Sequence, residues 1–215
     1  MDFKGAIFDL DGTLLDSMGI WADIDKRFLA KRGIALPDDY VEKVTPLNYQ
    51  DASKYTIERF QLAEKQEDII REWVQMSVDA YRFEIKLKPF VKEYLTSLKH
   101  QGIELAVATA QTPELYEPTL KNNGIFELFD VFTNLSEVHR GKGFPDIYIL
   151  AAQRLKLSPK DCMVFEDIYA GICGAKAGDF RTCGVYDPYS DYEKDKIEDS
   201  AEIYIDHFGN LLNHS

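Results

Sequence analysis

Two aspartates one residue apart follow the first apolar stretch of the chain, in the segment GAIFDLDGTLLDS. Side chains two positions apart in an extended strand point to the same side, so Asp9 and Asp11 can address one small volume beyond the strand end. Gly12 lets the backbone turn close to a group bound there. Because two neighbouring carboxylates repel each other, the pair requires a compensating positive charge.

Other apolar runs of the sequence are also followed by polar residues, namely Thr109, Asp130, Glu166 and Asp167. Ligands of parallel α/β sheets bind beyond the carboxyl ends of the strands, so we expect these side chains to gather with the first two aspartates. Four carboxylates at one site would raise one another's pKa values unless a cation offsets them. Hard oxygen ligands favour Mg²⁺, whose coordination a substrate phosphate completes.

A calcium-binding EF-hand loop is the main alternative for an Asp-x-Asp pattern. Counted from Asp9, Thr13 stands at the fifth position, Leu14 takes the place of the loop glycine, and Ile20 takes the place of the final glutamate. The sequence therefore excludes an EF-hand at this position.

The elements that must position these residues alternate along most of the chain. Short apolar runs predict strands at residues 5–8, 104–108, 131–132, 162–165, 182–186 and 203–205. Helical patterns lie between them: one opens at Pro89 and stops at Gly102, and the others cover 112–123, 145–155 and 168–177. This alternation predicts an α/β fold, with a three-layer, Rossmann-like core whose parallel sheet is covered by helices on both faces.

Residues 16–87 break the alternation, because they contain helical apolar stripes and no convincing strand. The residues of these stripes are Trp21, Ile24, Phe28, Leu29, Tyr55, Ile57, Phe60, Ile69, Ile70, Trp73, Val74 and Met76. We predict a helical cap domain at 16–87, inserted into a discontinuous α/β core domain formed by 1–15 and 88–215.

The charge balance limits the kinds of partner. With 25 basic and 37 acidic residues the net charge is −12, which repels nucleic acid and anionic membranes. No segment approaches the ~20 apolar residues of a membrane-spanning helix, and the N-terminal residues lack the pattern of a secretion signal. We therefore expect a cytoplasmic protein, present as a monomer or a weak homodimer, that binds neither nucleic acid nor membranes.

Two further features have plain structural interpretations. Cys162, Cys173 and Cys183 fall in a predicted strand, helix and strand, which favours buried reduced thiols over a disulfide or a metal cluster. The acidic stretch 187–199 is typical of a solvated loop or short helix.

Four motifs, each at a predicted strand end, resemble those of the haloacid dehalogenase (HAD) superfamily. They are DLDGT at 9–13, Thr109 after LAVA, Lys142 in RGKGFPDIY, and VFEDIYAGICGAKAG, which contains Glu166 and Asp167. One such motif occurs by chance, but four in this order, spread over essentially the whole chain, are specific. The inserted helical segment resembles the small helical cap of the branch that holds β-phosphoglucomutase and many small-molecule phosphatases.

The resemblance implies a role for each motif residue. Asp9 attacks phosphorus and becomes an aspartyl phosphate, and Asp11 acts as general acid and then as general base. The Thr109 hydroxyl and the Lys142 ammonium hold the transferring oxygens, and Lys142 also offsets the charge of Asp9. The expected substrate contacts are Thr109, Ala110, Lys142 and Trp21, with a core position in the cap as the alternative for Trp21.

The resemblance also implies how Mg²⁺ is held. The expected ligands are the Asp9 carboxylate, the Asp11 backbone carbonyl and Asp167, with Glu166 binding directly or through another ligand. With the ion, the formal charge of four carboxylates and one lysine becomes about −1 instead of roughly −3, so we expect a metal-dependent enzyme.

Departures from the family pattern bear on the reaction. Relatives usually have proline in place of Gly143, so we expect a looser loop and a less firmly aimed Lys142. Mutases similar to β-phosphoglucomutase carry a histidine where this chain has Trp21, and an arginine in the cap loop where VTPLNYQDAS has none. An acid at Asp11 suits an alkoxide leaving group. We therefore favour hydrolysis of a small phosphorylated metabolite over phosphosugar isomerisation.

Two questions stay open at this point. A catalytically idle phospholigand sensor is a second alternative, although all of the motif residues are present. Specificity is expected to come from the cap, where the candidates are Asn48, Tyr49, Gln50, Tyr55 and Arg59.

Overall fold

Six parallel strands form one sheet in the order β3-β2-β1-β4-β5-β6, in a computed structural model that describes residues 3–44 and 49–212. The strands are β1 Gly5–Phe8, β2 Glu104–Thr109, β3 Val131–Asn134, β4 Cys162–Glu166, β5 Arg181–Val185 and β6 Ile203–Ile205. The order reverses between β1 and β4, which is the place where Rossmann-like sheets bind ligands. The predicted α/β fold is thus confirmed.

The helices cover both faces of the sheet and also form the segment inserted after β1. They are α1 Ile20–Ala30, α2 Tyr40–Val44, α3 Tyr49–Phe60, α4 Gln66–Phe83, α5 Val91–His100, α6 Pro113–Asn122, α7 Asp146–Leu155, α8 Tyr169–Ala177, α9 Lys194–Ser200 and α10 Gly209–Leu212. Among the helices that the structure describes, none combines the length and the apolar composition needed to cross a bilayer.

Side chains of the central strand alternate between the two faces of the sheet. Ile7 packs with Val164 into a cluster that also takes in residues of α7 and α8. Phe8 points the other way and stacks on Phe165, with ring centroids 4.4 Å apart. Burial on both faces explains why β1 and β4 are continuous apolar runs.

Contacts divide the chain into two compact units, Met1–Met18 with Ile85–Ser215, and Gly19–Glu84. The second unit contains only helices among its described residues, and its core includes Phe28 and Trp73, whose rings lie 5.1 Å apart. The finer statement, a cap domain with boundaries at 16 and 87, stays a prediction.

Some sequence predictions were wrong in detail. Asp130 was expected at the ligand-binding edge, but it precedes β3 and accepts a 2.8 Å hydrogen bond from the Leu105 backbone, at the opposite end of the sheet. Pro89 does not open α5, because Phe90 adopts a left-handed φ of +65° and the helix begins at Val91.

The prediction of reduced cysteines is confirmed, and burial is confirmed for two of the three. Cys162 and Cys183 are buried and Cys173 is half-buried, and all three are free thiols. The acidic stretch 187–199 was predicted to be solvated, and this prediction is wrong at its start, where Asp187 and Ser190 are buried.

Candidate active site

Asp9 lies just beyond β1 and is almost fully buried. Its backbone N–H donates to the Phe165 carbonyl at 3.1 Å, so the pairing of β1 with β4 continues by one bond. Asp9 Oδ1 forms an ion pair with the Lys142 ammonium, and Oδ2 lies 3.4 Å from the Thr13 hydroxyl oxygen. The strand end therefore presents a carboxylate directly to a lysine.

Glu166, the last residue of β4, shares the same lysine. Lys142 Nζ lies 2.8 Å from Glu166 Oε1, and the Tyr148 hydroxyl of α7 donates to that oxygen at 2.8 Å. The second oxygen, Oε2, is buried and has no hydrogen-bond partner in the described part of the chain. A buried carboxylate oxygen without a donor is costly, and a cation would satisfy it.

Asp167 is held by one hydroxyl on each oxygen. Thr13 Oγ1 donates to Oδ1 at 3.1 Å, and Ser190 Oγ donates to Oδ2 at 3.1 Å. Gly12 passes so close that a Cβ there would overlap Asp167 Oδ2, and its φ is +78°. Glycine is required at this position for both reasons.

Asp11 lies in the turn that follows Asp9, and donors bind both of its oxygens. Ser17 Oγ donates to Oδ1 at 2.6 Å, and Gln111 Nε2 donates to Oδ2 at 3.0 Å. The Asp11 carboxylate does not belong to the cluster formed by the other three acids. Four carboxylates were expected to converge, but only three of them form the cluster. The Asp11 carboxylate is oriented by Ser17 and Gln111 instead.

Thr109 and Ala110 lie where β2 ends, next to Asp9, because β2 pairs in parallel with β1. Thr109 is buried and its hydroxyl oxygen accepts a 3.1 Å hydrogen bond from the Gln111 backbone, whereas Ala110 is exposed. The carboxyl ends of three neighbouring strands thus supply the residues expected to handle a phosphate.

The acids fit a divalent cation. One oxygen from each of Asp9, Glu166 and Asp167 lies within 4.8 Å of the others. Burial raises the pKa of all three groups, and neighbouring carboxylates raise these pKa values further, while Lys142 lowers them. One ammonium cannot balance three buried carboxylates, and an all-oxygen donor set suits Mg²⁺.

Lys142 is well aimed in spite of Gly143. Burial lowers the Lys142 pKa, but Asp9 and Glu166 outweigh this effect, so its pKa stays above the ordinary value. The loop rests on α8, because a Cβ on Gly174 would overlap the Lys142 carbonyl oxygen. The looseness expected from the missing proline is offset by this close packing.

The residues predicted to set specificity lie in the helical unit. Trp21 on α1 is 39% exposed, which excludes a core anchor, and its ring centroid is 6.5 Å from that of Tyr49. Tyr49 and Gln50 are exposed at the start of α3, and Asn48 lies outside the described residues. Substrate contact by Trp21 stays a prediction.

Tyr55 and Arg59 are engaged within the helical unit. Arg59 Nη2 lies 2.6 Å from Asp39 Oδ1, and Arg59 Nη1 donates to the Tyr55 hydroxyl. These contacts give both residues a structural role in this unit.

Four contributors were missed by sequence reasoning. Gln111 stands two residues after Thr109 and could have been found as another polar residue at a strand end, and Ser17 closes the first motif segment. Tyr148 ends the motif RGKGFPDIY around Lys142 and could have been found there, whereas Ser190 gave no such signal, since it reaches the site from a distant part of the sequence.

Comparisons with known proteins agree with this geometry. Residues 6–185 match the model of the haloacid dehalogenase-like hydrolase family. Hexitol phosphatase A of Escherichia coli is 30% identical over 190 residues, covering 87% of this chain and 85% of that protein. The bifunctional riboflavin kinase/FMN phosphatase of Arabidopsis thaliana is 30% identical over 180 residues, covering 83% of this chain but only 47% of that longer protein.

A solved structure shows the same fold. The crystal structure of a putative β-phosphoglucomutase from Thermotoga maritima superposes with a TM-score of 0.87 at 24% identity, with 98% of each chain covered. The sheet order, the motif residues at the strand ends and the family match all agree. The chain therefore belongs to the haloacid dehalogenase-like hydrolase family, with the fold of its β-phosphoglucomutase-like branch.

Proposed function

We propose that this protein, a phosphatase of the haloacid dehalogenase-like family, is Mg²⁺-dependent and hydrolyses a small phosphorylated metabolite through an aspartyl phosphate on Asp9. The observation that carries the proposal is the buried Asp9 carboxylate, paired with Lys142 and flanked by Glu166 and Asp167. A nucleophilic carboxylate beside a fixed ammonium suits attack on an anionic phosphoryl group.

Hydrolysis would proceed in two displacement steps, and the residues of the site have a defined role in each. In the first step Asp9 attacks phosphorus, the ester bond to the leaving alcohol breaks, and Asp11 gives that oxygen a proton. In the second step Asp11 takes a proton from water, which displaces the phosphate from Asp9. Lys142 and the Thr109 hydroxyl hold the transferring oxygens throughout.

The metal would be held by Asp9, Asp167 and the Asp11 carbonyl, with Glu166 beside them. When bound, Mg²⁺ supplies positive charge that offsets the carboxylates and lets an anionic substrate enter. The unpartnered Glu166 Oε2 and the raised pKa values of the three acids support this assignment.

The substrate class is a small phosphate monoester. Support comes from the relatives, which include a hexitol phosphatase and an FMN phosphatase. In this proposal Asp11 protonates an alkoxide leaving group, which sugar, sugar-alcohol and nucleotide esters all provide. A cytoplasmic location agrees with such a substrate and is part of the proposal.

The decisive experiment compares wild-type protein with the Asp9→Asn variant on p-nitrophenyl phosphate, hexitol phosphates and FMN, with and without Mg²⁺. We expect turnover only in the wild type with metal, and a covalent acyl phosphate in rapidly quenched samples. Asp195→Asn, an exposed change on α9, serves as the matched control. Equal rates in wild type and Asp9→Asn would refute the proposal.

The same panel separates the alternatives. β-Glucose 1-phosphate with a bisphosphate primer tests for isomerisation, for which we expect no more glucose 6-phosphate than hydrolysis of the primer alone releases. Ligand binding without turnover on every ester would instead identify a sensor.

A further inference from the structure

Lys88 has three hydrogen-bond partners in the α/β unit. Its side chain is only 11% exposed, and Nζ donates to the Gly12 carbonyl at 2.6 Å, to the Tyr186 carbonyl at 2.5 Å and to Asp187 Oδ2 at 3.0 Å. Gly12 belongs to the turn after β1, and Tyr186 and Asp187 follow β5. One ammonium therefore ties together two loops that are far apart in sequence.

The loop after β5 is built around Asp187, whose side chain is 1% exposed. Its Oδ1 accepts from the Tyr189 backbone at 2.9 Å, and its carbonyl accepts from the Ser190 backbone at 3.0 Å. These bonds fix a turn that places the Ser190 hydroxyl 3.1 Å from Asp167 Oδ2. The buried Asp187 thus determines where the Ser190 hydroxyl lies relative to Asp167.

The two loops joined by Lys88 are also the two that supply hydroxyls to Asp167. Thr13, next to Gly12, donates to Oδ1, and Ser190 donates to Oδ2. Both carboxylate oxygens are thereby fixed in direction, and an ion pair between buried groups resists reorientation of either loop.

We propose that Lys88 and Ser190 are positioning residues, which hold Asp167 in the orientation that binds the metal. The inference rests on the proposed function, since it takes Asp167 as a Mg²⁺ ligand. Neither residue touches the reacting atoms in this scheme. Partners that orient a metal ligand commonly change metal affinity by about 10- to 100-fold when they are removed.

The test is calorimetric titration of the full chain with Mg²⁺ alone, without substrate, alongside thermal unfolding of the metal-free protein. Ser190→Ala should weaken Mg²⁺ binding by about tenfold while the metal-free protein stays folded, although it unfolds at a lower temperature than the control Ser158→Ala, an exposed serine, because Asp167 Oδ2 loses its donor. Wild-type Mg²⁺ affinity in Ser190→Ala would overturn the role of Ser190.

A second set of variants separates positioning from stability. Lys88→Met leaves Asp187 buried without its cation and should destabilise the protein, whereas Lys88→Met/Asp187→Asn removes both charges and should recover part of the stability, since the Gly12 and Tyr186 carbonyls still lack their donor. If Lys88 positions the site, the double variant still binds Mg²⁺ about tenfold more weakly than wild type. Recovery of affinity together with stability would show a merely structural role and overturn the proposal.

A matched ion pair provides the control. Lys99 and Asp130 lie 2.6 Å apart at the other end of the sheet, and Lys99→Met/Asp130→Asn should leave Mg²⁺ affinity unchanged. An equal loss of affinity there would contradict a specific role for Lys88. If wild type neither binds Mg²⁺ nor hydrolyses any ester, the proposed function fails, and this inference fails with it.

Discussion

Asp11 is oriented by contacts that its motif does not contain. Ser17 and Gln111 each donate to one of its oxygens, and neither was expected to do so from the sequence. In the role that we propose for Asp11, a general acid must present its proton to the leaving oxygen in a defined direction, so these donors would decide how well the Asp11 carboxyl acts.

Replacing Gln111 by leucine should lower kcat by about tenfold, because the Asp11 carboxylate loses one of its fixed donors while its own chemistry is unchanged. The measurement is steady-state hydrolysis of p-nitrophenyl phosphate at saturating Mg²⁺. Gln101→Leu, an exposed change after α5, is the control. An unchanged kcat in Gln111→Leu would show that Ser17 alone suffices.

Asp25 on α1 carries a pH-dependent cost to stability. Burial raises the pKa of its carboxyl from 3.8 to about 7. The folded protein therefore holds this proton more tightly than the unfolded chain, so the contribution of Asp25 to stability is complete below pH 3.8 and is lost as the pH rises through 7.

Asp25→Asn should accordingly raise the free energy of unfolding by about 2 kcal/mol at pH 8, a figure reduced because the carboxyl is partly exposed to water. At pH 4 the variant and the wild type should differ little. Urea unfolding at both pH values checks this difference. A gain of equal size at both would point to a cause other than ionisation.

The residues that could be predicted are those whose positions follow from strand ends. Asp9, Thr109 and Glu166 come directly at or after apolar runs, and parallel pairing alone brings them together. Ser190 could not be found in this way, because its contact with Asp167 depends on the conformation of a loop. Asp130 was misplaced because it precedes an apolar run instead of following one.

Among the elements, α8 does more than cover the sheet. Gly174 allows this helix to approach the backbone of the Lys142 loop so closely that no side chain fits between them. The helix thus determines the position of a loop that has glycine instead of proline directly after Lys142.

Gly174→Ala should lower kcat by about tenfold or more, because the added methyl group displaces the Lys142 loop from Asp9. The overlap with backbone atoms also costs stability, which the gain of about 1 kcal/mol in helix propensity offsets in part, so kcat is measured at a temperature at which the variant is fully folded. Gly141→Ala in the same loop meets no atom within 4 Å and serves as control.

A double-mutant comparison identifies the cause. In a Lys142→Ala background, Gly174→Ala should reduce kcat little further, since the group that it displaces is already absent. If the fold-loss of kcat in the double variant equals the product of the two single losses, this explanation is wrong.

The start of α5 shows what local patterns cannot reveal. Pro89 and Gly102 correctly predict that a helix lies between them, but not its first residue, because a bulky residue such as Phe90 gives no sequence signal for its left-handed φ of +65°. We expect Phe90→Gly to be more stable than Phe90→Ala by about 1 kcal/mol, because both lose the ring and only glycine relieves the backbone. Denaturant unfolding of both variants measures this difference, and equal stabilities would argue against strain.

At the scale of the whole molecule, the net negative charge opposes the approach of an anionic substrate. A net charge of −12 repels an anionic substrate at long range, while Lys142 and the cation of the proposed function would attract it only at short range. Salt shortens the Debye length from about 30 Å at 0.01 M to about 8 Å at 0.15 M, so it screens the long-range repulsion more than the close contacts.

Raising KCl from 0.01 to 0.15 M at saturating Mg²⁺ should therefore increase kcat/KM for a phosphate ester by about two- to threefold, with kcat nearly constant. The rise in kcat/KM should come from a lower KM, because screening eases the approach of the substrate and does not alter the bound complex. Repeating the series with potassium acetate separates screening from a specific effect of chloride. A fall in kcat/KM with salt would mean that the local field at the site attracts the substrate over a longer range than the rest of the surface repels it.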